Sequence, residues 1–525
     1  MISRPTLHRG VALILGIVLL IVVGRTATAP LYGPYDYDPS TVLLAAVAAV
    51  AVLVALALGA ARARSVLEAR PWVRRGLVLG SLAVMACVQL TIAPAIRMQA
   101  GWDASVVAEI SEAMARGTTT TEHEVYLGLY PNNALIIAIL HGWDDLALAA
   151  GLGDVWPAGI ALNSLAMVGA IGLAYLAARR IGGPAAAYLT LALCAVFIGL
   201  SPWVTSVYSD TLTMPFAAVV LWLFSIERDT RGTAARASLW AAMGVAAIAG
   251  YSLKPTAIFP LLAAAAVALL LGAAAVRTSW RLVLACAAAT AVGAAVTTLL
   301  VSSFVDALGL PPSPEATQEQ LTVTHFLKMG AQQGPGVHND YYGGFSGADV
   351  IETRAMDADD RSARNVELYA DRVAEMGPVG YLTFLERKAT WTWGDGSFFA
   401  WGEGTLPEQP APWFATDPAS TRIQQWFGLY GSQYDVTYAV WQGTWLIVLL
   451  LVAGAAFTRR ASLMAATPTM ARLTLLMLGA FLLLFEARAR YVFLFLPYVL
   501  VLASLTLAAI ANAIVRRRIR SHDQL

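Results

Sequence analysis

Apolar runs about as long as a bilayer is thick recur along most of this chain, at 10–23, 41–61 and 256–276 among others. A helix needs ~20 such residues to cross about 30 Å of hydrocarbon. Of 525 residues, 58% are hydrophobic and 13% charged. No soluble core could hide that much apolar surface. The expected fold is an all-α polytopic membrane protein.

Twelve transmembrane helices are expected, near 9–25, 42–61, 76–96, 157–178, 185–203, 210–226, 237–253, 256–276, 281–303, 439–457, 472–487 and 491–514. This threading puts about 21 of the 35 basic and about 4 of the 34 acidic residues on one side, and that excess of arginine marks the side as cytoplasmic. Arg62, Arg64, Arg70, Arg74 and Arg75 decide it, with Arg179, Arg180, Arg228, Arg231, Arg236 and the run 516–520. Both termini are then cytoplasmic. The stretch 133–140 is apolar enough for a span, but counting it as one would turn every later arginine cluster outward. It is read as an interfacial or re-entrant helix on the outer face.

The chain divides into two N-terminal helices (1–75), a transmembrane core (76–303) with a first outer loop (97–157), an outer loop domain (304–438), and C-terminal helices with a basic tail (439–525). The first span follows Arg4 and Arg9 as a signal peptide would, but shows no small-residue cleavage site and reads as a retained helix. Abundant Ala and Arg suggest a GC-rich bacterial genome, hence a bacterial cell membrane.

Loops this long are usually functional or disordered, and these are rich in Trp, Tyr, Phe and Gly. Val106, Val107, Ile110 and Met114 recur at helical spacing, as in a helix lying on the membrane surface. The second loop reads as a small folded cap with aromatic segments at 391–401 and 426–430. Cys87, Cys194 and Cys286 all fall in apolar runs and form no disulfide framework. His123, His325 and His338 lack zinc-ligand spacing, so no metal site is expected. With no phosphate-binding loop of the GxxxxGK[ST] type, an ATP-driven pump is disfavoured, as is any nucleic-acid partner.

Asp103 follows the third span and precedes the amphipathic helix. It can be an N-cap, a general base at the membrane surface, or both. Trp393, Asp395 and Trp401 can stack on and bind a sugar, or build the core of the cap. His338, beside Asn339 and Asp340, reads as polar loop chemistry or acceptor binding.

The order of short motifs resembles the GT-C superfamily of integral-membrane glycosyltransferases, family 39 in particular. The motifs are Asp103 after an outgoing span, Tyr130-Pro131-Asn132-Asn133, a span ending in Arg179-Arg180, Tyr208-Ser209-Asp210, Lys254-Pro255-Thr256 and Arg490-Tyr491. With His325 to Gly330 and Trp393-Gly394-Asp395, they also resemble a group of Gram-positive membrane proteins assigned to that superfamily. The resemblance covers about 76–515.

It implies a GT-C-like fold and transfer of a sugar from a polyprenyl-phosphate donor to an extracytoplasmic acceptor, such as a cell-wall polymer, lipid or protein. Asp103 would be the general base of an inverting displacement. Many members carry two adjacent acids in the first outer loop; here Ala104 follows Asp103, so Glu109, Glu122, Glu124 or Asp210 would be the second, with Asp210 preferred. Lys254, Arg488 and Arg490 would hold the departing phosphate, and Tyr130, Asn132 and Tyr208 would contact sugar or acceptor. No cofactor is implied. A lipid-linked-glycan transporter or flippase is the rival reading; transporters usually keep polar groups near mid-membrane and show paired repeats, whereas these spans are apolar through their centres and the acids crowd the outer face, which favours the enzyme. A wall-binding scaffold is a third.

Overall fold

The computed structural model describes residues 4–31, 38–97, 99–100, 102–273, 280–310, 318–335, 340–400, 404–405, 415–458, 460 and 462–522. Helices dominate: α1 (Arg4–Thr28), α2 (Pro39–Ala69), α3 (Pro71–Ile96), α4 (Asp103–Arg116), α5 (Thr121–Leu129), α6 (Ala134–Ala149), α7 (Trp156–Gly182), α8 (Pro184–Cys194), α9 (Ser209–Leu212), α10 (Met214–Glu227) and α11 (Thr233–Leu253). They continue with α12 (Phe259–Ala273), α13 (Trp280–Ala307), α14 (Val323–Gly330), α15 (Gly347–Arg354), α16 (Arg361–Trp393), α17 (Pro418–Phe427), α18 (Tyr434–Gly454), α19 (Ala466–Leu484), α20 (Arg490–Phe493) and α21 (Leu496–His522).

Each of the twelve expected spans falls on a helix. Nine helical segments among the described residues are long and apolar enough to cross a membrane, and 184–199 and 255–271 are shorter apolar ones. The remaining one, α11, packs along α13. Several start on a proline, whose missing N–H is harmless in a first turn; Asp38 also caps α2, accepting from Ser40 N and Thr41 N at 3.1 Å each. The 16-residue α6 is not one of the nine. Its apolar side meets the apolar face of α4, with Val107, Ile110, Ile136 and Ile137 buried between them.

The core runs through α7, α8, α10, α18, α19 and α21. Its centre is α21, with 72% of its apolar window buried, against 17% for α13 at the edge. Below α8 the chain makes a π turn, Ala195–Gly199. Gln89 of α3 supports it, donating to Ile198 O (3.0 Å) while accepting from Ser164 (2.7 Å).

Charge separates the two ends of the bundle. At one end Glu68 binds Arg74 (2.9 Å) and Arg179 (2.5 Å), Arg180 meets Asp229 (2.9 Å), and Arg236 meets Glu227. At the other end the two long loops join. Strand β1 (Gln99–Ala100) pairs antiparallel with β4 (Gly404–Thr405), and Leu321 N donates to Leu129 O at 3.2 Å. A second small ladder pairs β2 (Gln333–Gly334) with β3 (Tyr341–Tyr342).

The second loop is more than a cap. Helix α16 bends at Gly377, whose φ of +64° suits a glycine before Pro378. Its last turns pack on α1 and α19, so Trp393, Phe398 and Ala400 join the central core.

Candidate active site at the long-loop end

Five segments distant in sequence converge where the long loops meet the bundle. Trp102 is the N-cap residue of α4, in extended conformation, and Asp103 is the first helical residue. Asp103 therefore does not act as the N-cap. Its carboxylate accepts instead from the hydroxyls of Tyr126 (3.0 Å) and Tyr208 (3.5 Å). Asn133 completes the ring: its amide donates to Tyr126 Oη at 2.7 Å and its carbonyl accepts from Tyr208 at 3.4 Å. Burial, and then the Asp103 charge, hold the Tyr126 phenol far above its ordinary range, so it stays a donor.

The approach to Tyr208 is pinned from α7. Asn163, fully buried, donates to the carbonyls of Trp203, Val204 and Ser206 at 2.9 to 3.2 Å. This fixes the 3-10 turn Pro202–Thr205 and delivers Tyr208 and α9 to one place. The break between α11 and the 3-10 turn Pro255–Ile258 brings Lys254, and the turn between α19 and α20 brings Glu486, Arg488 and Arg490.

Two cations share one buried carboxylate. Lys254 Nζ lies 2.5 Å from Asp210 Oδ1, and Arg490 Nε lies 3.9 Å from Asp210 Oδ2. Asp210 is 0% exposed, Lys254 9% and Arg490 5%. Aromatic rings wall the cations in. Arg490 sits 3.5 Å from the Trp102 ring centroid, 5.1 Å from Tyr491 and 5.7 Å from Tyr208, and Lys254 lies 4.3 Å from Tyr491. Trp102 and Tyr208 meet edge to face at 5.2 Å, linking the cations to the Asp103 ring. Buried charge of this kind is costly unless paired, and Asp210 supplies a carboxylate to both cations.

Of the residues singled out from the sequence, Asp103, Tyr208, Asp210, Lys254 and Arg490 come together. Tyr130 is half-buried beside Tyr126, ring centroids 5.2 Å apart. Arg488 stands further out, 3.9 Å from Glu486 and 5.7 Å from the Phe399 ring. His338 and Trp401 lie outside the described residues.

Three of these residues sit differently from the expectation. Asp210 is enclosed and ion-paired with Lys254, the place of a counter-ion. Asn132 is exposed, and its neighbour Asn133 occupies the cluster. Trp393 and Asp395 are core residues. The Trp393 carbonyl accepts from Trp445 Nε1 (2.8 Å), and Asp395 accepts from the amides of Ser397 and Phe399 (both 2.8 Å). Those bonds hold a turn in which Phe398 and Phe399 both have positive φ. Trp102, Tyr126, Asn133 and Tyr491 escaped the sequence reading as site residues; three of them are direct neighbours of residues it chose. Among the described residues no group of three or more His, Cys, Asp and Glu side chains is placed to hold a metal ion.

Spans, core and charge separation define a multi-pass integral membrane protein. The chain belongs to the family described as conserved hypothetical integral membrane protein, whose family model matches residues 38–511. No curated protein sequence matches it. A solved structure similar to it is that of ArnT from Cupriavidus metallidurans bound to undecaprenyl phosphate, with 14% identity over 82% of this chain and 77% of that one. At a TM-score of 0.33 that likeness carries no argument about chemistry.

Proposed function

We propose that this protein is a membrane glycosyltransferase that moves a sugar from a polyprenyl-phosphate donor to an acceptor of the cell envelope. The observation that carries the reading is the adjacency of a hydrogen-bonded carboxylate, Asp103, to a buried cation pair, Lys254 and Arg490, across Trp102 and Tyr208.

The cations hold the donor phosphate and stabilise the charge that develops as the anomeric C–O bond breaks. Asp103 accepts the proton of the acceptor hydroxyl while its oxygen bonds to the anomeric carbon from the opposite face, inverting the configuration. The tyrosines orient the carboxylate. The reaction needs no covalent intermediate, metal or other cofactor. The partners are membrane lipid, the lipid-linked sugar and the acceptor. In this reading the long-loop end faces outward from a bacterial cell membrane, and both termini lie in the cytoplasm.

The test is release of polyprenyl phosphate from a polyprenyl-phosphate sugar by the purified protein in nanodiscs. Asp103→Asn is expected to lower the rate by about 100-fold or more, a typical general-base effect. A folded Asp103→Asn protein with full activity would falsify the role of Asp103. Sugar-lipid translocation without release would indicate the transporter instead.

A further inference from the structure

Behind the cation cluster stands a buried lysine that this chemistry does not use. Lys388, in the second half of α16, is 0% exposed. Its ammonium donates to the carbonyls of Gly330 (2.6 Å), Phe485 (2.7 Å) and Leu483 (3.1 Å). Those carbonyls stand at two helix C-termini, the ends of α14 and α19, where backbone oxygens lack intrahelical partners and the helix dipole is negative. One ammonium thus caps both helices, using all three of its N–H bonds.

The residues just beyond are the arginines of the site. Two backbone bonds tie down the same turn: Glu486 N donates to Phe326 O (2.9 Å) and Ala487 N to Gly343 O (2.8 Å). The packing leaves no slack. Gly343 has a φ of +69°, and a Cβ there would strike the Lys388 ammonium; one on Gly330 would strike the Leu484 carbonyl.

We propose that Lys388 is the positioning residue of the phosphate-binding segment: by capping α14 and α19 together it fixes the turn 485–489, and through it Arg488 and Arg490. The functional meaning rests on the reading of those arginines given above; the clasp does not. Only the charged amine can do this, because a neutral one keeps two N–H bonds and turns its lone pair toward the third carbonyl. Burial lowers Lys388 from 10.5 to about 7, against the opposing pull of Glu486. Of the other charges on packed elements, Glu386 turns to Arg25 of α1 (3.2 Å), Arg387 to Tyr342 (3.3 Å), and Lys328 of α14 to Glu352 (2.9 Å).

Hydrogen exchange of the peptide containing 485–491, compared at one pH in nanodiscs between the wild type and variants, tests this. Lys388→Met is expected to lower protection of that peptide about tenfold, the worth of one hydrogen bond to a charged group, while peptides of the central core keep theirs. Lys388→Arg should retain part of the protection. In the release assay Lys388→Met should raise KM for the donor more than it lowers kcat. A folded Lys388→Met protein with wild-type protection overturns the proposal, as does a Lys388→Arg protein that loses as much protection as Lys388→Met. Loss of protection in Lys388→Met without the KM effect would count against the role of the arginines and leave the clasp standing.

Discussion

Asp210 decides whether the residues around it can stay buried. Lys254 and Arg490 are nearly enclosed and Asp210 is the carboxylate between them. Breaking a buried ion pair from one side leaves an uncompensated charge and costs about 3–5 kcal/mol. Asp210→Ala should therefore lower thermal stability in detergent strongly. Asp210→Ala combined with Lys254→Met should recover part of the loss; a double variant as unstable as the sum of the singles would refute the coupling. The main charges of this cluster were legible in the sequence, because ionisable residues at the ends of apolar runs are rare and expensive. Tyr126 and Asn133 were not. Nothing local separates Tyr126 from the other tyrosines among 18, and only its seat against the apolar cluster of α4 and α6 brings it to Asp103. Trp393 and Asp395 misled in the opposite direction, since an aromatic run after a long loop reads as surface. Gly396 held the contrary signal: a Cβ there would lie 3.0 Å from the Gln442 backbone, a mark of close packing.

The elements themselves were largely readable, because hydropathy reports burial in lipid directly. Helix ends were less so. An expected span of 42–61 became Pro39–Ala69, since a helix can continue into water through Arg62 and Arg64 after the apolar part stops. The course of α16, bent at Gly377 and returning into the bundle, has no hydropathy signature. Close helix pairs depend on small residues, and α11 against α13 is an example. A Cβ on Gly293 would lie 2.5 Å from Ala241 O, and one on Gly244 would lie 2.7 Å from Thr290 O. Gly293→Val should then push the helices apart and lower stability by about 1–3 kcal/mol, the usual range for overpacking. A thermal unfolding midpoint equal to that of the wild type would show that the pair can yield.

At the scale of the molecule, charge segregation is the feature that the proposed chemistry needs. In a background of Cys87→Ser, Cys194→Ala and Cys286→Ala, Asp357→Cys should react with a membrane-impermeant maleimide in intact cells. Asp229→Cys, at the arginine-rich end, should react only after permeabilisation. Both positions are exposed, so a reversed pattern would turn the proposed orientation over. The order of the chain also bears on how the site arises during synthesis. Asp210 and Lys254 lie 44 residues apart, and Lys254 can neutralise its partner as soon as the two segments enter the membrane. Arg490 arrives on the penultimate helix, immediately before the central α21. A ribosome that stops short of it leaves a bundle without its axis and an acid–base pair lacking its keystone, so premature products should be cleared by proteolysis instead of persisting in the membrane.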